Sequence, residues 1–419
     1  MTSLLELSAR IIDEGDLTTP PNRVTNELSE VVDGVAVVES FSHSWAIDTG
    51  DGLVVLDASG FATGAAVTEA LRRWRVDPVR RLVYTHGHID HVGGSGALLA
   101  DGRARGHADP DVIGHASVEA RFERYDLTNG YNLRINARQF ALARGVDLGG
   151  TAGRFLPADT ARCTTSYDDR LSVRTGDTVL DLRHDRGETD DHTWVWDPAR
   201  RAIFSGDFVT WVFPNAGNPQ KVQRYPGDWA GALRRMAALE PELLLPAHGL
   251  PIAGRDRIVA VLDNIATALE GLVTGVLEMM NDGRPLDEIV HTVGVPASLM
   301  ELPYLQPVYD EPEFVVRNIW RQFGGWWDGN PARLKPPDDG ALAAEVATLA
   351  GGATTLTRRA RDVAAGGDLR LACQLVEWAR TAEPDDADVR AAHGEIYQQR
   401  RRDERSLMAK GVYADAANR

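Results

Sequence analysis

Three histidines and one aspartate lie within six residues of the sequence, in the run T-H-G-H-I-D-H over residues 85–91. In an extended loop, His86 and His88 project to one side of the chain. Asp90 and His91 begin the next helix, so their side chains can face a second position beside the first. Imidazole together with carboxylate favours zinc-like divalent ions, and catalytic zinc keeps one position open for water. The run therefore predicts a centre for two metal ions with room for a water molecule.

The flanking residues predict the elements that position this run. Short β-branched segments alternate with glycine-containing turns over residues 31–57, a pattern typical of an antiparallel meander. A helix over residues 64–74 and an apolar strand over residues 79–85 follow, so the histidine run begins where that strand ends. Further strands are predicted over residues 179–182, 192–196, 202–204 and 242–246. Alternating strands and helices indicate a mixed α/β layer architecture.

The second part of the sequence predicts helices alone. Beyond residue 257 the strands cease, and residues 258–281 carry apolar residues at i, i+3 and i+4 spacing before an Asp-Gly pair. A connector rich in proline and tryptophan follows. Several short helices are predicted over residues 341–418, where residues 368–380 and 385–402 form a hairpin of tetratricopeptide type without a wider repeat.

The composition restricts the binding partners and the cellular compartment that the sequence predicts. Among 419 residues, 61 acidic and 45 basic side chains give a net charge of −16, which repels a phosphate backbone and argues against a nucleic-acid partner. Two cysteines without C-x-x-C spacing indicate a reducing, cytoplasmic compartment. Charged residues interrupt the N-terminal segment, and no run of 18 apolar residues occurs, so we expect neither a signal peptide nor a membrane span.

The H-x-H-x-D-H run resembles the metallo-β-lactamase superfamily, and the L-V-V-L-D-A run over residues 53–58 resembles that superfamily's first motif. The resemblance implies an αββα sandwich that binds two metal ions at one edge. Later motifs of the superfamily are matched by S-G-D ending at Asp207 and by P-A-H-G around His248. Its G-H-T motif is matched by Gly187-Glu188-Thr189, with a glutamate in place of the histidine.

Glu188 makes the resemblance more specific. Within the superfamily, the alkylsulfatases have a glutamate at this position of the motif and an acidic bridging residue. The run G-G-W-W-D-G-N-P over residues 324–331 looks like another of their segments, and the helical remainder resembles their dimerisation domain. The resemblance implies a metal hydrolase domain over residues 1–256, a helical dimerisation domain over residues 257–419 and a homodimer. Pro214 stands where these enzymes have a histidine that is a proposed proton donor.

The resemblance also implies a ligand set for two Zn²⁺ ions, although other divalent metals would suit the same residues. One ion is assigned to His86, His88 and Glu188. The other is assigned to Asp90, His91 and His248, and Asp207 bridges the two. Such ions lower the pKa of bound water towards ~7 and supply hydroxide at neutral pH. Asp90 and Asp207 are therefore expected to serve catalysis by holding the ions. Asp57 is expected to hold a ligand histidine.

The anionic part of a sulfate ester requires cationic or amide donors. Two segments that resemble alkylsulfatase segments supply the candidates, namely Arg134, Asn136 and Arg138, and Asn215, Lys221 and Arg224. Five aromatic residues either line an apolar entrance for an alkyl chain or belong to the core: Trp211, Phe213, Tyr225, Trp326 and Trp327. His192 is predicted as the proton donor to the leaving group, with Tyr225 or a metal-bound water as alternatives. A further alternative is an ester whose leaving group needs no proton.

These features predict a dinuclear zinc hydrolase of alkyl sulfates or related sulfate esters, acting on a small anionic substrate. A lactone, thioester or phosphate ester is the closest alternative, because fold and metals do not select the substrate. An iron-binding redox protein of the same fold is a second alternative. A third is an interaction module in which the helical region is the working part and the core is inert.

Overall fold

The computed structural model describes residues 3–140 and 153–419. The described residues form two compact units. The larger unit holds residues 3–133, 153–284 and 289–323, and the smaller unit holds residues 134–140, 285–288 and 324–419.

The larger unit contains two sheets. The first has seven strands in chain order: β1 (Leu28–Val32), β2 (Val35–Val38), β3 (Ser44–Asp48), β4 (Leu53–Leu56), β5 (Val79–Val83), β6 (Asp111–His115) and β7 (Thr165–Tyr167). The second has six: β8 (Arg170–Thr175), β9 (Thr178–His184), β10 (Thr193–Asp197), β11 (Ala202–Gly206), β12 (Leu243–Pro246) and β13 (Ile252–Ala253). Within it β12 lies between β11 and β13, and pairs with β11 in parallel.

The predicted meander is confirmed, since β1 to β4 pair in antiparallel order, and β4 to β7 continue in parallel. Strands β2 and β4 are buried along their whole length, because their apolar side chains serve both faces of the sheet. The β3–β4 turn requires glycine at Gly52, where φ is +102° and a Cβ would lie 2.6 Å from the Pro78 carbonyl oxygen.

The two sheets face each other, and helices cover their outer faces. Trp45 of β3 packs edge-on against Phe204 of β11, and its indole nitrogen donates to the Pro246 carbonyl oxygen at 2.9 Å. The helices of this unit are α1 (Leu4–Glu14), α2 (Phe61–Trp74), α3 (Ile89–Val92), α4 (Ser95–Ala104), α5 (Ser117–Leu127), α7 (Pro226–Ala237), α8 (Arg255–Asn281), α10 (Ala297–Met300) and α11 (Pro312–Gly324), with α6 (Asn129–Gln139) and α9 (Leu286–Thr292) crossing the division. Apolar residues of α2, α4 and α5 share one core with the first sheet, as the predicted αββα sandwich requires.

Helix α8 begins at the predicted domain boundary and packs within the larger compact unit. Its buried face includes Ile258, Val261 and Leu262, and it lies against α7. By length and composition alone this helix could cross a membrane, but nearly half of its most apolar stretch is buried inside the fold. Such burial is typical of a core helix.

The smaller unit is helical, and no strand occurs among the described residues beyond 253, as predicted. Its helices are α12 (Asp339–Ala350), α13 (Ala353–Ala365), α14 (Leu369–Ala382), α15 (Ala387–Asp403) and α16 (Leu407–Ala417). The predicted hairpin corresponds to α14 and α15. Val376 and Ile396 bury the contact between these two helices, and Asp386 caps α15 by accepting from the Val389 N–H.

Candidate metal centre

The histidine run lies where the sequence places it, at the carboxyl end of β5. The chain leaves the strand in an extended conformation through His88 and then turns into α3, where the His91 N–H donates to the His88 carbonyl oxygen. The remaining candidate ligands also follow strands of the sandwich. Glu188 lies between β9 and β10, Asp207 directly follows β11, and His248 follows β12.

The structure brings all seven predicted metal ligands together in two neighbouring groups. In the first, the His86 Nε2 atom lies 2.8 Å from His88 Nδ1 and 3.8 Å from Asp207 Oδ2. The His88 Nδ1 atom lies 3.7 Å from Glu188 Oε1. These four side chains are named the Glu188 half-site.

The second group faces the other oxygen of Asp207. The Asp207 Oδ1 atom lies 3.4 Å from His91 Nε2 and 3.5 Å from His248 Nε2. The Asp90 Oδ2 atom lies 3.6 Å from each of the same two nitrogens. Asp90, His91 and His248, with Asp207 Oδ1, are named the His248 half-site. Asp207 therefore presents one oxygen to each half-site.

Two buried atoms in this centre require a partner that the described side chains do not supply. His91 Nε2 and Asp207 Oδ1 are buried without a hydrogen bond, and burial of such atoms unpaired costs about 1–3 kcal/mol each. Atoms 3.4–3.8 Å apart can share an ion whose bonds to N and O are about 2.0–2.2 Å long. The nitrogen and oxygen donors and their separations thus fit one divalent ion in each half-site.

Asp57 holds a ligand histidine, as expected from the sequence. Its Oδ2 atom lies 2.8 Å from His91 Nδ1, and its carboxylate also accepts from the backbone N–H and the hydroxyl of Thr85. This contact leaves His91 Nε2 directed at the half-site. Asp57 itself adopts φ of +57°, a conformation that non-glycine residues rarely adopt.

Burial sets the protonation of the ligands. It lowers the pKa of His86 and His88 well below the ordinary histidine value, so both imidazoles are neutral and able to bind a metal. Burial also raises the pKa of the Glu188 carboxyl well above its ordinary value, with the Arg224 guanidinium opposing the rise. The charged form of Glu188 therefore depends on neighbouring cations.

Two of the predicted anion-binding residues, Asn215 and Arg224, contact the candidate metal ligand Glu188. The Asn215 amide donates to Glu188 Oε1. Arg224, which is buried, donates to the Glu188 carbonyl oxygen, and its Nη1 atom lies 3.2 Å from Glu188 Oε1. The Arg224 Nε atom is buried without a hydrogen-bond partner, and the predicted role of Asn215 and Arg224 in binding the substrate stays a prediction.

Lys221 lies within electrostatic range of the centre, since the carboxylates of Asp90 and Glu188 both act on its charge. Its ammonium nitrogen lies 5.9 Å from the centroid of the Phe155 ring. Burial, assisted by the Arg224 cation, lowers the pKa of this amine to about 7. The same two carboxylates act on Tyr309, and burial raises the pKa of its hydroxyl. The sequence analysis missed Tyr309, because no local pattern links it to ligands far away in the chain.

The remaining predicted donors Arg134, Asn136 and Arg138 belong to α6 and to the smaller unit. There the Arg138 Nε atom lies 3.4 Å from Asp415 Oδ2. Their role in binding the substrate stays a prediction.

His192 does not meet the requirements of a proton donor. Its side chain is fully buried, its Nε2 atom accepts from the Asp207 N–H at 3.1 Å, and its ring stacks on Phe208. Burial lowers its pKa to about 3, so the imidazole is neutral and carries no acidic proton. The structure therefore contradicts the proposed role, and His192 instead orients the backbone of Asp207.

The aromatic candidates separate into core and surface. Trp211 and Phe213 are fully buried and belong to the core, while Trp326 and Trp327 lie in the smaller unit with Trp326 exposed. Phe41, which the sequence analysis missed, is 48% exposed, and its ring meets the His248 ring edge-on at 5.7 Å. An apolar side chain thus lies directly beside the His248 half-site.

Comparison with known proteins agrees with this arrangement. The sequence model of the metallo-beta-lactamase superfamily matches residues 37–248, and the model described as alkyl sulfatase dimerisation matches residues 285–419. The first match spans half of the chain and contains all seven ligands.

Curated relatives are alkylsulfatases. A linear primary-alkylsulfatase from Pseudomonas sp. is 25% identical over 81% of this chain and 66% of its own length. An alkyl/aryl-sulfatase from Saccharomyces cerevisiae is 23% identical over 89% of this chain and 60% of its own length. An (R)-specific secondary-alkylsulfatase from Pseudomonas sp. is 24% identical over 84% of this chain and 56% of its own length. The chain thus spans about two thirds or less of the length of these relatives.

A solved structure shares the fold. The stereoselective inverting sec-alkylsulfatase Pisa1 from Pseudomonas sp. superposes with a TM-score of 0.80 at 22% identity, over 93% of this chain and 65% of that one. The matched residues, the two-sheet sandwich and the helical region that follows lead to one conclusion: the chain belongs to the metallo-beta-lactamase superfamily and resembles its alkylsulfatases.

Proposed function

We propose that the protein is a dinuclear zinc hydrolase of alkyl sulfates or related sulfate esters. The observation that carries the proposal is the convergence of seven ligand residues into two half-sites that share Asp207, with Glu188 rather than a histidine in the first. Relatives that align with more than four fifths of the chain bear alkylsulfatase names. Zn²⁺ suits the nitrogen and oxygen donors, and other divalent ions would bind the same set.

When bound, such ions would lower the pKa of water and polarise the ester oxygen. Asp90, Glu188 and Asp207 contribute three carboxylates against the four positive charges of two divalent ions, so a bound hydroxide would bring the loaded centre to about zero charge. The cations Arg224 and Lys221 near the centre would favour an anionic substrate.

Lys221 supplies, beside Arg224, a second cationic side chain near this centre. Its ammonium group donates to an oxygen of the sulfate group and, with a pKa lowered to about 7, holds a proton that the leaving alkoxide can accept. Lys221 therefore takes the role for which His192 is too deeply buried. Phe41 contacts the apolar part of the ester beside His248.

We also propose that the protein is a cytoplasmic homodimer, with residues 1–256 as the hydrolase part and residues 257–419 as the dimerisation part. The match of residues 285–419 to the alkyl sulfatase dimerisation family supports the dimer. Exposed leucines on the smaller unit, such as Leu349 and Leu371, supply apolar surface for an interface.

A substrate panel tests the proposed reaction. The zinc-loaded protein is given a linear alkyl sulfate, an aryl sulfate, a lactone, a thioester and a phosphate monoester, and the product acid is quantified for each. We expect kcat/KM to be highest for the sulfate esters, with no turnover by the metal-stripped protein. A higher kcat/KM for the lactone, thioester or phosphate ester at full metal occupancy would contradict the proposal.

A further inference from the structure

The Glu188 half-site contains a buried carboxylate where most of the superfamily has a neutral imidazole. Its side chain is only 4% exposed, and the Arg224 guanidinium and the Asn215 amide both approach its Oε1 atom. These two groups fix the carboxylate and offset its charge. The geometry of the half-site therefore depends on what holds Arg224 and Asn215 in place.

Both residues lie between β11 and α7, in a segment without a helix or strand. Asn318 of α11 supports this segment at Arg224. Its Oδ1 atom accepts from the Arg224 N–H at 3.4 Å, and its Nδ2 group donates to the Arg224 carbonyl oxygen at 2.9 Å. Gln223 adds a bond from its side-chain amide to Asn318 Oδ1. Asn318 is itself 5% exposed, so its amide pairs with this backbone in place of solvent.

Asp310 supports the same segment beside Asn215. Its Oδ2 atom accepts from the Gly217 N–H at 2.7 Å. Gly217 lies so close to the start of α11 that a Cβ would be 2.2 Å from the Val315 nitrogen. The segment thus rests directly on the first turn of α11, and Asp310 fixes it there.

We infer that Asn318 and Asp310 are positioning residues for the metal ion of the Glu188 half-site, acting through Arg224 and Asn215. They lie outside the superfamily match over residues 37–248 and inside the dimerisation match over residues 285–419. The metal centre is therefore supported by residues from beyond the part of the chain that the superfamily model matches. The inference rests on the proposed dinuclear centre.

Metal affinity measured against a competing chelator tests the inference, with Zn²⁺ as the probe and circular dichroism as the check on folding. In Asn318→Ala we expect the affinity for one ion to fall about 10- to 100-fold while the other ion stays bound as in the wild type. Asp310→Ala should weaken the same ion. Arg317→Ala is the matched control, because Arg317 is exposed on the same helix and pairs with Glu313.

A double-mutant cycle separates positioning from general stabilisation. Glu188→His removes the carboxylate that Arg224 and Asn215 hold, so adding Asn318→Ala to this variant should change ion affinity by less than about 3-fold. If Asn318→Ala is insoluble, Asn318→Asp replaces it, because aspartate keeps the volume and the acceptor but cannot donate to the Arg224 carbonyl oxygen.

Unchanged affinity for both ions in the folded Asn318 variant would overturn the inference. Equal weakening of both ions, or a full effect in the Glu188→His background, would also overturn it. A wild-type protein that binds fewer than two ions would instead contradict the proposed function, so the two failures are distinguishable.

Discussion

Glu188 and Asp190 lie in one loop between β9 and β10, but their surroundings differ. Glu188 is buried beside His88, whereas the Asp190 side chain is 44% exposed and pairs with Arg121. Glu188→Ala should therefore lose the ion of its half-site and at least about 100-fold in kcat. Asp190→Ala should keep both ions. Metal content and sulfate-ester turnover of the two variants check this, and loss of an ion from Asp190→Ala alone would move the ligand to Asp190.

Lys221 gives the reaction a pH dependence of definite sign. With a pKa lowered to about 7, its amine is protonated below that pH and loses the proton above it. Turnover of alkyl sulfates should therefore fall as pH rises through about 7, whereas aryl sulfates, whose leaving groups need no proton, should lack this decrease. In Lys221→Met, alkyl sulfates should lose about 100-fold in kcat at unchanged metal content.

Equal losses on both ester types in Lys221→Met would show that the lysine binds the sulfate group without donating a proton. An alkyl sulfate profile that does not change near pH 7 would contradict the assigned donor.

Residue type and spacing were sufficient to select the seven candidate ligands that the structure brings together. The histidine run is local, and the glutamate and the two later ligands follow strands with recognisable motifs. The partners of Glu188 could not be found in this way. Asn215 and Arg224 are hydrogen-bond donors that suit any anion, and only the fold shows that the anion they contact is the Glu188 carboxylate. His192 failed for the same reason, since its burial is a property of packing.

Among the elements, helix α2 packs closely on the segment that follows the histidine run, where Gly64 of α2 meets Gly94 at the start of α4. A Cβ at Gly64 would lie 2.5 Å from the Gly94 Cα atom. Gly64→Ala should therefore lower the free energy of unfolding by about 1–3 kcal/mol through overpacking. Gly271→Ala on α8 is the control, because no atom lies within 4 Å of its added Cβ, and it should raise stability by about 0.5–1 kcal/mol. Denaturant unfolding measures both, and a stable Gly64→Ala variant would contradict the close approach.

Strands with strong periodicity and glycine turns were predictable, as β2 to β5 and β9 to β12 demonstrate. Strand β7 was not, because its three residues, T-S-Y, carry no apolar pattern and owe their conformation to pairing with β6. The packing of α8 within the larger unit was also not predictable. An amphipathic helix such as α8 does not reveal in its sequence which neighbour covers its apolar face, and here that neighbour is α7.

At the scale of the whole molecule, the proposed dimer predicts a concentration-independent mass. Sedimentation equilibrium at micromolar concentration should give twice the chain mass of 45.7 kDa. The exposed Leu349 and Leu371 of the smaller unit are candidates for the interface, and Leu349→Glu should shift the equilibrium towards the monomer without loss of bound metal. A wild-type monomer at these concentrations would contradict the dimer.

Titration of metal-stripped protein with Zn²⁺ measures whether two ions act together in one centre that Asp207 joins. Hydrolysis of an alkyl sulfate is followed while the ion-to-chain ratio increases. We predict that activity rises until two ions are bound per chain and then reaches a plateau, because each half-site supplies its own ligands. Full activity at one ion per chain, or in protein freed of metal, would contradict the account.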